Sequence, residues 1–478
     1  MEASDTITLP EFIETTASIR AIAISNNQFD SLIENYCEDI LKLSLSSEGG
    51  SPGIKAFTLL TKRSMVTSTC LLKHNLFFGY ISNILMNVEG TPPFVLSRIA
   101  AIYLNIVLSE VEGRNEAVGY LIQFLDFTDN TGVLDMFKEI FSSDANVQWL
   151  YQVLFTIKFH AFVLDEFQKD INDDHLAALL EIVHMCALNE TLRSTFCTKE
   201  FAKILLKIIK NENPNSHPID HNINSFEINA KSQNSNISNK NKNGLNMNEL
   251  GPIDSHAQEG NGNKSHLRVL NSLWLAISSV CSTDNLAFMI PILKKSIEII
   301  RNTTKQVHAY HEGILIFLEK VMVLNDKCFG DNNKNLMKSL CRLMVAFPDV
   351  TPVQNAIFNL IISALKSDNF RKITIRLFLP LAITMSMNDK RSAASANCAK
   401  LVNYLSFLKK SINDINVFLN KSTSYKECND QFLKDYKTKL LGKYGGKCKN
   451  KVNKQASIKL KQTCFPLEIS LDKIIVDD

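Results

Sequence analysis

Glycine and proline are scarce, at 17 and 12 in 478 residues, about half of average usage. A β-sandwich or barrel uses both at its many tight turns, so those classes are excluded, along with collagen-like and wholly disordered chains. Long apolar runs are also missing. None approaches the roughly 18–20 residues of a membrane helix, and the run around Leu104–Leu108 is broken at Asn105. There is no large excess of one charge. The 52 Lys and Arg against 49 Asp and Glu leave a formal +3, which gives no global field toward nucleic acid or membrane. The start, Met1-Glu2-Ala3-Ser4-Asp5, is acidic and lacks the basic and apolar parts of a signal peptide.

Eleven cysteines occur without a single Cys-x-x-Cys pair. Most sit in apolar periodic stretches, as Cys37 and Cys186 do, where a thiol behaves as a small hydrophobe. The expectation is reduced, buried cysteines in a cytoplasmic or nuclear protein. Enzyme signatures are missing as well: no Gly-x-x-x-x-Gly-Lys-Ser/Thr, no His-Glu-x-x-His, no Gly-x-Gly-x-x-Gly after a strand. Gly49-Gly50-Ser51-Pro52-Gly53 has the form of a nucleophile elbow without the strand it requires, and reads as an inter-helix loop. His308, His311 and Glu312 could share a helix face, but a zinc site needs more ligands, so a packed or solvated face is expected. Asp173-Asp174 before His175 reads as helix capping, and Asp165-Glu166 as a surface pair. The reading is a non-enzyme with no catalytic residue, cofactor or metal.

What is present is helical period. Phe29, Leu32, Ile33, Tyr36, Ile40 and Leu43 form one apolar stripe, and Val118, Leu121, Ile122 and Leu125 a second. Others are Val133–Phe141, Leu176–Val183, Phe201–Ile209, Ile314–Val321 and Leu336–Met344. Residues 99–108 are apolar on two faces, as a helix between two layers must be. Thr8-Leu9-Pro10-Glu11 reads as a capping box, while Thr351-Pro352 and Asn130-Thr131-Gly132 mark further helix starts. The predicted fold is all-α: an α-solenoid of degenerate armadillo/HEAT-like helical repeats with a disordered insert. No clean sequence period near 40 residues is visible. A compact helical domain without a superhelix is the alternative.

Four segments follow: an N-terminal helical-repeat part (1–210), an Asn-rich insert (211–266), a C-terminal helical-repeat part (267–420) and a basic tail (421–478). The insert holds 15 asparagines in 56 positions and too little apolar surface to offset its ordering entropy. Between Lys434 and Lys461 lie ten lysines and one acid, Asp435. Residues 1–210 carry 26 acidic and 16 basic groups, so the charge is polarised along the chain. The tail could serve as a nucleic-acid patch, fold back onto the acidic half, or stay solvated. With only Tyr436 and Tyr444 among its lysines, base stacking has little support.

Several collinear segments resemble the SAPS family, the regulatory subunits of type-6 serine/threonine protein phosphatases. Ile7–Ile13, Phe29–Ile33, Ala56–Thr61, Leu71–Phe77, Pro92–Arg98 and Tyr103–Leu108 follow the family's order. Leu121-Ile122-Gln123-Phe124-Leu125 running into Thr131-Gly132-Val133-Leu134-Asp135-Met136-Phe137 is similar to its "L-L-x-H-I-x-T-S-A-I-M-D-L-L-L-R-L-I". Phe196–Lys207, His308–Val323 and Asn335–Phe347 continue the likeness, which covers roughly residues 7–400. The family's Asn-Ala-Ser helix is replaced by His175–Glu181, marking a divergent member. The resemblance implies a non-catalytic scaffold that binds a serine/threonine protein phosphatase catalytic subunit and directs its substrate choice, with a further scaffold subunit as a possible third partner. In the best-matching region Arg98, Arg114, Asp129, Asn130 and Asp135 are the expected partner-binding residues, as polar groups in or beside loops. A generic armadillo/HEAT adaptor is the rival reading.

Overall fold

The computed structural model describes residues 9–10, 26–46, 50–86, 91–142, 148–211, 261–387 and 392–428. It is 85% helix, with no strand among the described residues, so the fold is all-α. In chain order the helices begin α1 (Asn26–Ser44), α2 (Ser51–Thr61), α3 (Met65–Leu72), α4 (Leu76–Met86), α5 (Pro93–Leu108), α6 (Arg114–Gly119) and α7 (Thr131–Ile140). Next come α8 (Gln148–Thr156), α9 (Phe159–Glu166), α10 (Asp173–Leu188), α11 (Glu190–Phe196) and α12 (Lys199–Asn211). The second half holds α13 (Asn261–Val280), α14 (Leu286–Asn302), α15 (Ala309–Asn325), α16 (Asn333–Ala346), α17 (Thr351–Lys366), α18 (Asp368–Met387), α19 (Ala393–Leu408), α20 (Asn413–Lys421) and α21 (Thr423–Cys428).

The helices pack in two rows. In one, α2 packs on α5, α5 on α7, α7 on α10, α10 on α13, α13 on α15, α15 on α17 and α17 on α19. In the other, α6 packs on α8, α8 on α11, α12 on α14, α14 on α16, α16 on α18 and α18 on α21. Three helices of the first row start at Ala309, Thr351 and Ala393, a constant step of 42 residues. Polar links between neighbours recur at nearly the same spacing. Lys320 of α15 donates to Ser278 O at 2.9 Å, Ser363 of α17 to Glu319 at 3.2 Å, and Asn397 of α19 to Asn355 at 3.1 Å.

The apolar stripes are the core. Phe29, Leu32, Ile33 and Ile40 are buried, while Tyr36 is half-buried at a kink in α1. Helix α5 is buried on two sides through Ile99, Ala100, Ile102, Tyr103, Ile106 and Val107. Asparagines start several helices. Asn130, Asn172 and Asn189 each accept a hydrogen bond from backbone N–H groups of the first turn, which would otherwise stay unpaired.

Several expectations need correction. The stripe at Val118–Leu125 is not one α-helix: it passes from α6 into a 3-10 stretch, Tyr120–Phe127. At Thr351-Pro352 the cap is Val350, and Thr351 is already helical. Ser51 opens α2 instead of lying in a loop. Gly53 is buried where a Cβ would stand 3.1 Å from Leu43 O, so this glycine admits a close helix approach. Helix α13 begins at Asn261, before the expected boundary at 267, and α21 packs against α18 beyond the expected boundary at 420. The rest of the Asn-rich insert, the basic tail and most of the Thr8–Glu11 capping box lie outside the described residues.

The nine described cysteines are free. Burial pushes the Cys37, Cys281, Cys341 and Cys398 thiols up to about 12. Among the described residues no helix is long and apolar enough to cross a membrane.

Candidate functional site

The five residues singled out by resemblance divide into three kinds. Arg98 sits inside α5, not beside a loop, and is only 9% exposed. Its Nη1 donates to Ser44 O at 2.7 Å, and its guanidinium faces the rings of Phe94 and Phe57 at 4.8 and 5.5 Å. Arg114 lies over the Trp149 ring at 4.2 Å, tying α6 to α8. These two cations hold helices together.

Asn130 is fully engaged. Its Oδ1 accepts from Gly132 N, Val133 N and Ser97 Oγ at 3.0, 3.2 and 3.0 Å, and its Nδ2 donates to Pro93 O at 2.9 Å. One side chain thus caps α7 and pins it to α5. Gly132 completes the joint, since a Cβ there would lie 2.5 Å from Ser97 Cβ. Asp129 and Asp135 are the exposed pair. Asp135 leaves 75% of its side chain in solvent, with Lys138 3.8 Å away.

Asp129 leads to a cluster that sequence reasoning missed. It belongs with Thr128 to the turn after the 3-10 stretch, and Asp126 lies within that stretch. Opposite are Glu166 at the end of α9, Lys169 in the following turn, and His175 in the first turn of α10. Lys169 Nζ bridges Asp126 Oδ1 at 2.5 Å and Glu166 Oε1 at 2.6 Å. Glu166 is 7% exposed, so it is not the surface residue that Asp165-Glu166 suggested. His175 is also 7% exposed. Burial pushes its pKa below the ordinary histidine value, against the pull of Asp129, Glu166 and Asp126.

Three polar atoms of this cluster are buried and make no hydrogen bond: Thr128 Oγ1, Glu166 Oε2 and His175 Nε2. Buried polar atoms are rarely left so, because an unmet hydrogen bond costs about 1–3 kcal/mol. Asp165, Asp170, Asp173 and Asp174, next in sequence, are exposed, and Asp174 meets Arg268 Nη1 of α13 at 3.4 Å. Chemically, the junction is a carboxylate-rich joint whose cation is Lys169; of its three unmet atoms Glu166 Oε2 can accept, while the Thr128 hydroxyl and His175 Nε2 could each donate or accept.

His308 and His311 are occupied by structure. His308 N donates to His311 Nδ1 at 3.0 Å, closing a capping box at the start of α15, and His311 Nε2 meets Thr303 Oγ1 at 3.0 Å. Burial drives the His311 pKa down to about 4. Among the described residues no group of three His, Cys, Asp or Glu is placed to hold a metal ion. A shallow groove of about 520 Å³ between α16 and α18 is lined by Cys341, Arg342, Val345, Ala346, Leu377 and Leu381, and is almost wholly apolar.

No family model matches the chain, and no curated protein matches it.

Proposed function

We propose that this chain is a regulatory scaffold of the SAPS type: an α-solenoid of armadillo/HEAT-like repeats that binds a type-6 serine/threonine protein phosphatase catalytic subunit and directs its substrate choice. The two rows of helices, with three first-row helices starting 42 residues apart, support the solenoid reading, since stacked helix pairs that contact mainly their neighbours produce this pattern. The phosphatase reading rests on the order of the segments that resemble the family, above all Leu121–Phe137. In this region Asp129 and Asp135 present carboxylates to solvent, while Arg98, Arg114 and Asn130 hold the surface in place. A frame of this kind positions an enzyme against its substrate by surface complementarity and needs no reactive group of its own.

The observation that carries the proposal is this pairing of a braced helix joint with exposed acids inside the best-matching segment. Affinity capture of the tagged full chain, read by mass spectrometry, is expected to recover a metal-dependent serine/threonine phosphatase. Asp135→Lys is expected to lower recovery at least fivefold without changing helicity. Capture of other proteins with no phosphatase among them would replace this reading with the general helical-repeat adaptor.

A further inference from the structure

Helices α16, α18 and α19 bring three sulfur atoms to one point. Cys398 of α19 is fully buried, and its Sγ lies 3.6 Å from Met344 Sδ of α16 and 3.9 Å from Met385 Sδ of α18. We propose that Cys398, Met344 and Met385 form a binding site for monovalent copper, Cu(I), with Cys341 as the residue through which the ion enters. The site is independent of the partner that the scaffold binds.

Spacing is the first support. Metal–sulfur bonds of about 2.3 Å in a trigonal plane set the sulfurs about 4 Å apart. Both separations from Cys398 are close to this. Methionine is unbranched and flexible, so the two thioethers can close on an ion without moving a helix. Donor type is the second. Thiolate and thioether sulfurs are soft ligands that select Cu(I) over hard cations. Among the described residues no group of three His, Cys, Asp or Glu is placed to hold a harder ion.

Hydrogen bonding and charge point the same way. Neither thioether has a proton to give, and the single thiol proton of Cys398 can point at only one of them. A cation between the three would accept a lone pair from each. When the copper–sulfur bond forms at Cys398, the thiol proton leaves for solvent and no electron is transferred. One monovalent ion, one thiolate and two neutral thioethers then carry no net charge. That suits a dry core, where a divalent ion would leave a buried positive charge.

Cys341 supplies the way in. It stands three residues before Met344 on α16, is half-buried, and lies within electrostatic reach of Cys398. It also lines the groove of about 520 Å³ between α16 and α18. A thiol at that position can take an ion from the groove and pass it to the buried sulfurs by ligand exchange.

The test titrates the reduced full chain with Cu(I), without oxygen, against the coloured Cu(I) chelator bicinchoninate. Eleven cysteines can compete for copper, so the deciding variant keeps every thiol. Met344→Leu/Met385→Leu conserves apolar volume, and its helicity and thermal melting should stay close to wild type. It should weaken the tightest Cu(I) site at least tenfold. Each single methionine variant should give a smaller loss, which keeps the result readable if the double variant melts early. Cys398→Ala should weaken the site at least a hundredfold, while Cys70→Ala, on α3, should change it less than twofold. X-ray absorption of the one-to-one complex should show sulfur neighbours alone, at about 2.3 Å. An affinity unchanged by the methionine substitutions would overturn the proposal, because the copper would then sit on other thiols. So would nitrogen or oxygen neighbours around the copper, or failure of the chain to take one equivalent from bicinchoninate.

Discussion

At the scale of single residues, His311 is the most sensitive group in the second half. Its Nδ1 accepts the His308 amide proton, so the ring proton sits on Nε2 and is directed at Thr303, whose hydroxyl donates to Ile299 O at 2.8 Å. Burial in a site 2% exposed disfavours the charged ring, and this outweighs His308 O, which lies 3.2 Å from Nδ1 and could accept a proton carried there. The folded pKa of about 4 lies below the unfolded value near 6.5, so the unfolded chain binds the extra proton first. Stability is therefore full above about pH 6.5 and declines as pH falls toward 4, by about 3 kcal/mol for this group. Urea melts of wild type and His311→Gln across this range should show a shallower pH slope in the variant. Equal slopes would remove His311 from the acid response. Arg98 is a second such residue. Arg98→Met retains apolar volume but leaves Ser44 O without its donor, and should cost about 2–4 kcal/mol in a denaturant titration.

At the scale of helices, joints matter more than propensity. The α5–α7 crossing depends on Gly132, where a Cβ would overlap Ser97, and on the four hydrogen bonds of Asn130. Gly132→Ala should destabilise by about 1–3 kcal/mol through overpacking. Removing the opposing Cβ in Gly132→Ala/Ser97→Gly should recover part of that loss in a double-mutant cycle; strict additivity would place the strain elsewhere. Much at this scale was legible in the sequence. The stripes at 29–40, 133–141 and 201–209 and the Asn130 start are local patterns, and burial followed them. The 42-residue step was not legible, because equivalent buried positions hold different residues. Ser272, Ile314, Ala356 and Cys398 occupy one such series, and Ala276, Leu318, Leu360 and Val402 another. Packing requires these sites to be filled but does not require the same side chain. The acidic junction escaped for a different reason. Asp126, Glu166 and His175 come together only when α9 packs on both the 3-10 stretch and α10, and Glu166 next to Asp165 looks like a surface pair in one dimension.

At the scale of the whole molecule, the question is how stability spreads along two rows. The α10–α13 interface joins the halves on either side of the Asn-rich insert. Glu181 links α7 and α13 there, with Lys138 Nζ at 3.4 Å and Arg268 Nη2 at 3.2 Å, and His184 meets Ser279 at 2.5 Å. Trp274 is fully buried in α13, and Gly313 lets α15 approach its Cβ where any side chain would lie at 2.8 Å. If helices stabilise only their row neighbours, damage at α13 stays local; in a compact domain with one cooperative core it spreads everywhere. Leu273→Asp places a charge among buried groups of α13 and distinguishes the two cases. Hydrogen exchange read by mass spectrometry should show loss of protection in α10, α13 and α15, at least tenfold faster than wild type. Helices α17 to α19, two and three steps away, should keep their rates. Uniform loss from α1 to α21 would mean that the rows act as one cooperative block, and the extended-array architecture would then have to be abandoned.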